Sequence, residues 1–351
     1  MSIGFRTLGR SGLVVSELAL GTAAFGSRNR IPGGQPDVDT IVGTALDLGV
    51  TLFDTAEGYG DERGLSEAIL GRALAGRRDE AVISTKFSRH RGPAGPPDWG
   101  AHGSRRNVRI AVEGSLRRLG TDWIDLYQIH QPDPLTPIDE TLAVLDDLIR
   151  AGKVRYTGSS NFAGWQLADA EHTARERGYQ RFAATTNEYS LLWRAVEAEV
   201  LPAVTAFDLG FLAYFPLQNG LLTGKYTRDQ APAAGKVTRF KPHLLEQAPW
   251  DGLDQLTDFA AKRELTLVEV AYGWLLAQPG VSTLVTGATS PDQVTANATA
   301  TSWRPTPAEE TELRSLFAGD LSGAPGRSAL SPPAPGRPAA STSSTKPWPR
   351  S

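Results

Sequence analysis

Four side chains of this 351-residue sequence could together deliver a proton to a carbonyl oxygen: the carboxylate of Asp54, the phenol of Tyr59, the ammonium of Lys86 and the imidazole of His130. Their spacing is informative because each stands at or just after the end of a short β-rich run. Asp54 closes Thr51–Asp54, and Tyr59 follows in Phe53-Asp54-Thr55-Ala56-Glu57-Gly58-Tyr59-Gly60. Lys86 closes Ala81–Lys86, and His130 closes Ile124–His130. A free phenol is a poor acid at neutral pH. An ammonium beside it favours the phenolate, so proton donation becomes easier. A carboxylate on that ammonium fixes its position and keeps it charged. A phenol so placed can protonate a carbonyl oxygen as the carbon is reduced. A neutral imidazole can hydrogen-bond the same oxygen and orient the substrate.

Taken one at a time, each residue has an ordinary explanation. An Asp after a strand commonly caps the next helix, a Lys is usually solvated, and a His at a strand end is more often a satisfied polar group than a catalyst. What sets them apart is that three consecutive β-runs deliver them, which brings them together if those runs are neighbouring parallel strands. Asp54 and Glu57 could instead be the paired carboxylates of a hydrolase, but that arrangement leaves Tyr59 and Lys86 without a role. Cysteine is absent, which removes disulfides, thiolate metal sites and a thiol nucleophile. The 5 histidines show no ligand spacing such as H-E-x-x-H, so no metal is expected.

The elements that must position these groups show as an alternation. Leu18–Gly21, Thr51–Asp54, Ala81–Lys86, Ile124–His130, Val154–Gly158, Phe182–Asn187, Phe211–Tyr214 and Thr283–Thr286 are β-rich runs separated by longer stretches. Val38–Leu48, Asn107–Leu119 and Ile138–Ala151 repeat apolar residues with helical period, the pattern of one buried stripe. Gly49, Gly120 and Gly152 follow them, where a left-handed C-terminal cap is wanted. Strands alternating with helices imply parallel pairing through right-handed crossovers. The repeats predict an α/β fold, a closed (β/α)8 TIM barrel, after an N-terminal β-hairpin over Phe5–Val15. The rival doubly wound sheet would carry G-x-G-x-x-G after a strand, and none is present. The barrel is expected over residues 1–321, and the Pro/Ala/Ser-rich stretch 322–351 is expected to be a disordered tail. Two long loops, 88–103 and 219–250, follow strand ends on the side where barrel enzymes work.

Composition narrows the partners. A hydrophobic content of 40% suffices for a sizeable core, and a net charge of -3 offers no dense basic face for nucleic acid. Met1–Arg10 lacks the apolar centre of a secretory signal, and no apolar run approaches bilayer length. A cytoplasmic protein with a small-molecule partner and no membrane partner is expected, and nothing in the sequence specifies an oligomeric state.

Several stretches resemble the aldo-keto reductase family, including its bacterial members and the related potassium-channel β-subunits. They are Phe5–Gly12, Leu20–Thr22, Asp54–Gly60, Gly64–Glu67, Ser115–Asp122, His130–Asp133, Gly158–Phe162, Asn187–Leu192 and Leu217–Tyr226, and the likeness they mark extends over nearly everything before the tail. The resemblance implies that Asp54, Tyr59, Lys86 and His130 are a catalytic tetrad, with Tyr59 as general acid. It implies NAD(P)H-dependent reduction of an aldehyde, ketone or keto-sugar, with NADPH as cofactor and NADH as the alternative. A redox-sensing regulatory subunit that binds nicotinamide with little turnover is the second reading, and turnover separates the two.

The same resemblance assigns the cofactor site. Gly21, Thr22 and Asp54 would lie at it, Ser160 and Asn161 would hydrogen-bond the nicotinamide carboxamide, and Tyr214 would stack on the ring. Phe215 and Pro216 lead to Leu217, Gly220, Leu222, Gly224 and Lys225 along the pyrophosphate. Gly287, Ala288, Thr289, Gln293 and Asn297 would meet the adenosine end. Plainer explanations stand beside these: Tyr214 as a core aromatic, Ser160-Asn161 as the cap of a helix over Trp165–Glu176, and Ser290 as the cap of Pro291–Ala300. Three departures from the family pattern matter. Thr186 stands where Gln is usual, still at the nicotinamide but with one carboxamide contact shorter or water-mediated; Phe215 stands where a small serine is common; and 287–293 carries no cation to meet a 2′-phosphate, which makes NADH use more plausible than usual. Phe25, Phe87 and Trp99, with Tyr59 and His130, are the expected substrate walls, joined by Gln131 and Trp193; ordinary loop or core packing explains Phe25, Phe87, Trp99, Gln131 and Trp193 equally well. His90 and His102 are expected in solvent.

Overall fold

The computed structural model describes residues 3–27, 29–31, 33–88, 99–233 and 235–317. The expected tail, most of the first long loop and His90 lie outside the described residues. A short antiparallel hairpin, β1 (Phe5–Thr7) and β2 (Val14–Ser16), comes first. Strand and helix then alternate: β3 (Leu18–Gly21), α1 (Gln35–Asp47), β4 (Leu52–Asp54), α2 (Leu65–Ala73), β5 (Val82–Phe87) and α3 (Arg105–Leu119). They continue with β6 (Ile124–Ile129), α4 (Ile138–Arg150), β7 (Val154–Ser160), α5 (Gly164–Arg177), β8 (Ala184–Glu188), α6 (Val200–Phe207) and β9 (Gly210–Tyr214). Four helices follow: α7 (Lys236–Phe240), α8 (His243–Glu246), α9 (Trp250–Ala261) and α10 (Leu267–Leu276). β10 (Val281–Gly287), α11 (Pro291–Thr299) and α12 (Pro307–Ser315) complete the described chain. Strands β3 to β10 form a closed barrel of parallel neighbours, sealed where β10 pairs with β3. This is the (β/α)8 barrel with an N-terminal hairpin that the alternation predicts. No helix among the described residues is long and apolar enough to cross a membrane.

Side chains alternate across each strand, so the barrel has two cores. The inner one is small and made by Ala19, Leu52, Leu126, Ala184, Leu212 and Val285, with Leu8 and Val15 of the hairpin region packed into it. The outer one lies between strands and helices and takes the intervening residues, among them Phe53, Ile83, Phe87, Tyr127 and Phe211. An interior floor of apolar side chains leaves the strand C-terminal ends as the open face.

Helix ends follow local chemistry. Ser104 caps α3 by accepting from the Asn107 N–H, and Ser290 caps α11 through Gln293. Gly49, Gly120 and Gly152 adopt φ of 85°, 64° and 74°, the left-handed stops expected of them. α5 differs: its N-cap is Ala163, while Ser160 is still in β7, so Ser160-Asn161 does not cap this helix. The 219–250 excursion is more ordered than a loop, because a 3-10 turn over Gln218–Thr223 and then α7 and α8 occupy it.

Candidate active site

Three neighbouring strands place the four side chains. β4 pairs with β5 and β5 with β6, each in parallel. Asp54 ends β4, Lys86 is the next-to-last residue of β5, and His130 directly follows β6. Tyr59 sits in the turn after β4, where its N–H bonds the Ala56 carbonyl and its own carbonyl accepts from Ser66 at the start of α2. Lys86 Nζ lies 2.5 and 2.6 Å from the two Asp54 oxygens and 3.1 Å from the Thr55 carbonyl. The same ammonium stands 5.5 Å from the Tyr59 ring centroid. The Tyr59 and His130 rings meet edge-on, with centroids 5.7 Å apart and an interplanar angle of 80°. Asp54, Lys86 and His130 are buried, while Tyr59 is half-buried. The structure therefore brings all four together at one mouth.

A second tyrosine, Tyr127, is close in sequence but unsuited to proton transfer. It faces the helix layer, with its ring 4.8 Å from that of Phe87. Burial, reinforced by the negative charges of Glu57 and Glu67, pushes its phenol well above the usual range. The paired-carboxylate alternative also loses support from geometry. Asp54 is held by Lys86 and Ser84, whereas Glu57 pairs with Arg63 and accepts from the Ser88 N–H.

The residues expected at the nicotinamide form a polar arc from β7 to β9. Ser160 Oγ donates to the Thr186 carbonyl. Asn161, in a left-handed conformation, donates to the His130 carbonyl at 2.9 Å and accepts from the Tyr214 hydroxyl at 2.8 Å. One arc thus connects His130 with Tyr214. The Thr186 hydroxyl donates to Gln128 Oε1 at 2.8 Å, so it points across the barrel. Phe215 takes φ of 54°, lies edge-on to Tyr214 and carries Lys241 Nζ 5.3 Å from its ring centroid. Pro216 and Leu217 lead into left-handed Gln218, Asn219 and Gly220, and Gly224 closes the 3-10 turn at φ of 78°. Leu222 is buried beneath it and Lys225 is exposed.

At the other side of the mouth, Gly21 pairs with Gly287 across β3 and β10. A Cβ on Gly287 would meet only the Gly21 carbonyl, at 3.9 Å, so no side chain fills this slot. Thr22 is turned away, toward Ser66 of α2. Ala288 is buried, and the Gln293 side chain folds back to accept from the N–H and hydroxyl of Thr289. Asn297 accepts from the Tyr272 hydroxyl. An aromatic face at Tyr214, amide and hydroxyl groups at Asn161 and Ser160, and a side-chain-free slot beside the N-terminus of α11 fit an extended dinucleotide.

The expected substrate walls divide. Trp99 is exposed, Trp193 and Gln131 are half-buried, and Tyr59 and His130 face the mouth. Phe25 and Phe87 are different: both have no exposed surface and belong to the outer core. For Phe87 the cause is alternation, because its neighbour Lys86 faces inward. Neither offers a wall to substrate in this structure. His102 is half-buried rather than in solvent, with its carbonyl taken by Asn107. Sequence reasoning missed Ser84 and Gln128, although they share strand faces with Lys86 and His130. It also missed the Arg63 partner of Glu57, whose spacing gives no signal.

A profile of the Aldo/keto reductase family matches residues 17–316. The "Uncharacterized oxidoreductase YrpG" of Bacillus subtilis (strain 168) is 38% identical over 296 residues, covering 82% of this chain and 87% of its own length. The "NADH-specific methylglyoxal reductase" of Escherichia coli (strain K12) is 34% identical over 326 residues, covering 88% and 97%. The "Probable voltage-gated potassium channel subunit beta" of Oryza sativa subsp. japonica is 33% identical over 304 residues, covering 84% and 89%.

Proposed function

Since the chain belongs to the aldo/keto reductase family, we propose that it is an NAD(P)H-dependent reductase of aldehydes, ketones or keto-sugars with Tyr59 as its general acid. The observation that carries this is the Lys86 ammonium, fixed on Asp54 and lying 5.5 Å from the Tyr59 ring centroid, with His130 edge-on to that ring. Asn161, Ser160 and Tyr214 would hold a nicotinamide, which supplies the hydride when bound. The chain's own residues handle the proton. The Tyr59 phenol gives its hydrogen to the carbonyl oxygen as the carbon gains its new C–H bond, and the product is the alcohol. The phenolate left behind is stabilised by the Lys86 ammonium, whose charge Asp54 retains, and it recovers a proton from solvent. His130 hydrogen-bonds the same carbonyl oxygen and fixes its direction.

NADH is a natural cofactor for this mouth. The stretch 287–293 has no cation for a 2′-phosphate, and Gln293 is turned to Thr289. The NADH-specific methylglyoxal reductase among the relatives makes small oxoaldehydes suitable first substrates to try. The potassium-channel subunit among the relatives is the reason to carry the second reading, a regulatory subunit, here one that would bind nicotinamide with little turnover. A panel of simple aldehydes, ketones and keto-sugars, assayed with NADH and with NADPH, decides between them. Steady oxidation of either cofactor by at least one carbonyl supports the reductase; tight cofactor binding with no turnover across the panel supports the subunit.

A further inference from the structure

On β6, Leu126 and Gln128 share the face that leads to His130. Leu126 belongs to the inner floor, so Gln128, fully buried, fills the layer between floor and mouth. A buried primary amide must satisfy both its oxygen and its N–H groups. Gln128 finds partners on strands to either side: Thr186 Oγ1 donates to its Oε1 at 2.8 Å, and its Nε2 donates to Ser84 Oγ at 2.8 Å. Ser84 Oγ donates onward to Asp54 Oδ1 at 2.9 Å, the same oxygen that holds Lys86 at 2.5 Å.

The path has been cleared for this side chain. To reach Thr186 on β8, Gln128 must pass β7, and it does so at Gly158. A Cβ there would stand 3.3 Å from Gln128 Cγ and 2.7 Å from the Ala184 carbonyl. The direction of the links is also determined. An ionised carboxylate only accepts, so the Ser84 hydrogen goes to Asp54 and its lone pairs remain for an amide N–H. The Gln128 oxygen then faces Thr186. All four residues are buried, where linked hydrogen bonds polarise one another.

We infer that Gln128 is a positioning residue, tying Thr186 at the expected nicotinamide end of the mouth to the Asp54–Lys86 pair through a one-way chain of hydrogen bonds over Gly158. This rests on the reductase function proposed above. The chain holds the Ser84 hydroxyl on Asp54 in one orientation, and Asp54 holds Lys86 under Tyr59. It also gives the short Thr186 side chain, standing where the resemblance leads one to expect Gln, an amide contributed from the next-but-one strand.

The test compares wild type, Gln128→Met, Ser84→Ala, Thr186→Val and their pairs in the full chain, using NADH or NADPH and the best carbonyl of the panel. Gln128→Met keeps length while removing both polar links. It should lower kcat about tenfold with KM for the carbonyl changed by no more than about twofold. Ser84→Ala should lower kcat similarly, and the pair should be no worse than Ser84→Ala alone, because members of one chain are not additive. In an Asp54→Asn background, Gln128→Met should have no further effect. A kcat within about twofold of wild type, or multiplying effects in the pair, overturns the inference. If Gln128→Met does not fold, Ser84→Ala with Thr186→Val carries the same test. A wild type that turns over no carbonyl removes the reductase function, and hydrogen exchange then judges the chain separately. Gln128→Met should speed exchange in peptides containing Asp54 and Lys86 and leave α9 and α10 unchanged; no difference at Asp54 and Lys86 overturns the inference.

Discussion

Asp54 and Lys86 are almost wholly shielded from water, with side-chain exposures of 4% and 2%. Two charges so placed are tolerated because they hold each other, and removing one strands the other at a cost of about 3–5 kcal/mol. Lys86→Met should therefore lower unfolding stability by about 3 kcal/mol in denaturant titration as well as abolish carbonyl reduction. An activity loss with unchanged stability would contradict the paired burial. The residues that could be read from sequence at this scale are those whose position was fixed by a strand end. Asp54, Tyr59, Lys86 and His130 come from three successive strands, and the register of β4, β5 and β6 brings them together. Phe87 takes the core-packing alternative rather than a place in the substrate wall, because adjacent strand residues face opposite layers and Lys86 faces inward. Gln128 and Ser84 were missed for the converse reason: they lie two residues from His130 and Lys86 and share their faces, but neither ends a strand.

Helix caps and tethers act at the next scale. Ser104 starts α3 immediately after the long loop, and its hydroxyl oxygen accepts from the Asn107 N–H. Ser104→Ala should cost about 1 kcal/mol in thermal or denaturant unfolding. Its kcat should stay at the wild-type value, since α3 supplies no group to the mouth; a large kcat loss would mean that the cap also sets the loop. α12 is tied to the body by Arg314, which bonds Glu197, Glu310 and Gln278, while Arg194 shares Glu197. Burial alone would raise Glu197, but hydrogen bonds from Arg194 and Tyr189 and the charges of Arg194 and Arg314 outweigh it and hold the carboxyl below its usual range. A depressed carboxyl binds protons less well folded than unfolded. Its stabilisation is therefore present above about pH 4 and is lost as pH falls through the folded value. Glu197→Gln should unfold more easily than wild type at pH 7, and the gap should close on acidification; a gap constant with pH would contradict the assignment. The capping glycines were legible because a left-handed residue after an apolar stripe has few alternatives. The cap of α5 was not, although the helix begins within one residue of the expected Trp165, because Ala163 carries no capping side chain and the serines before it finish a strand.

The barrel as a whole was legible from alternation, since each β-rich run lies within a few residues of a strand and the absence of a glycine fingerprint removed the open-sheet rival. The short helices α7 and α8 escaped because they have too few turns to show a period. Closure of β10 onto β3 sets Gly21 beside Gly287, and in the proposed function the choice of cofactor would belong to this assembled rim. Gln293→Arg would place a guanidinium at the N-terminal turn of α11, and NADPH should gain about tenfold in affinity relative to NADH. Paired binding titrations check this, and an unchanged ratio would remove that turn from the cofactor site. The central claim is that this mouth holds a phenol as the proton donor to a carbonyl. It is tested most directly by the single-turnover rate of carbonyl reduction in Tyr59→Phe against wild type, with cofactor affinity measured on the same preparations. The expected result is a rate reduced by about 10²-fold or more with cofactor affinity unchanged. A variant that keeps most of its rate would contradict the account.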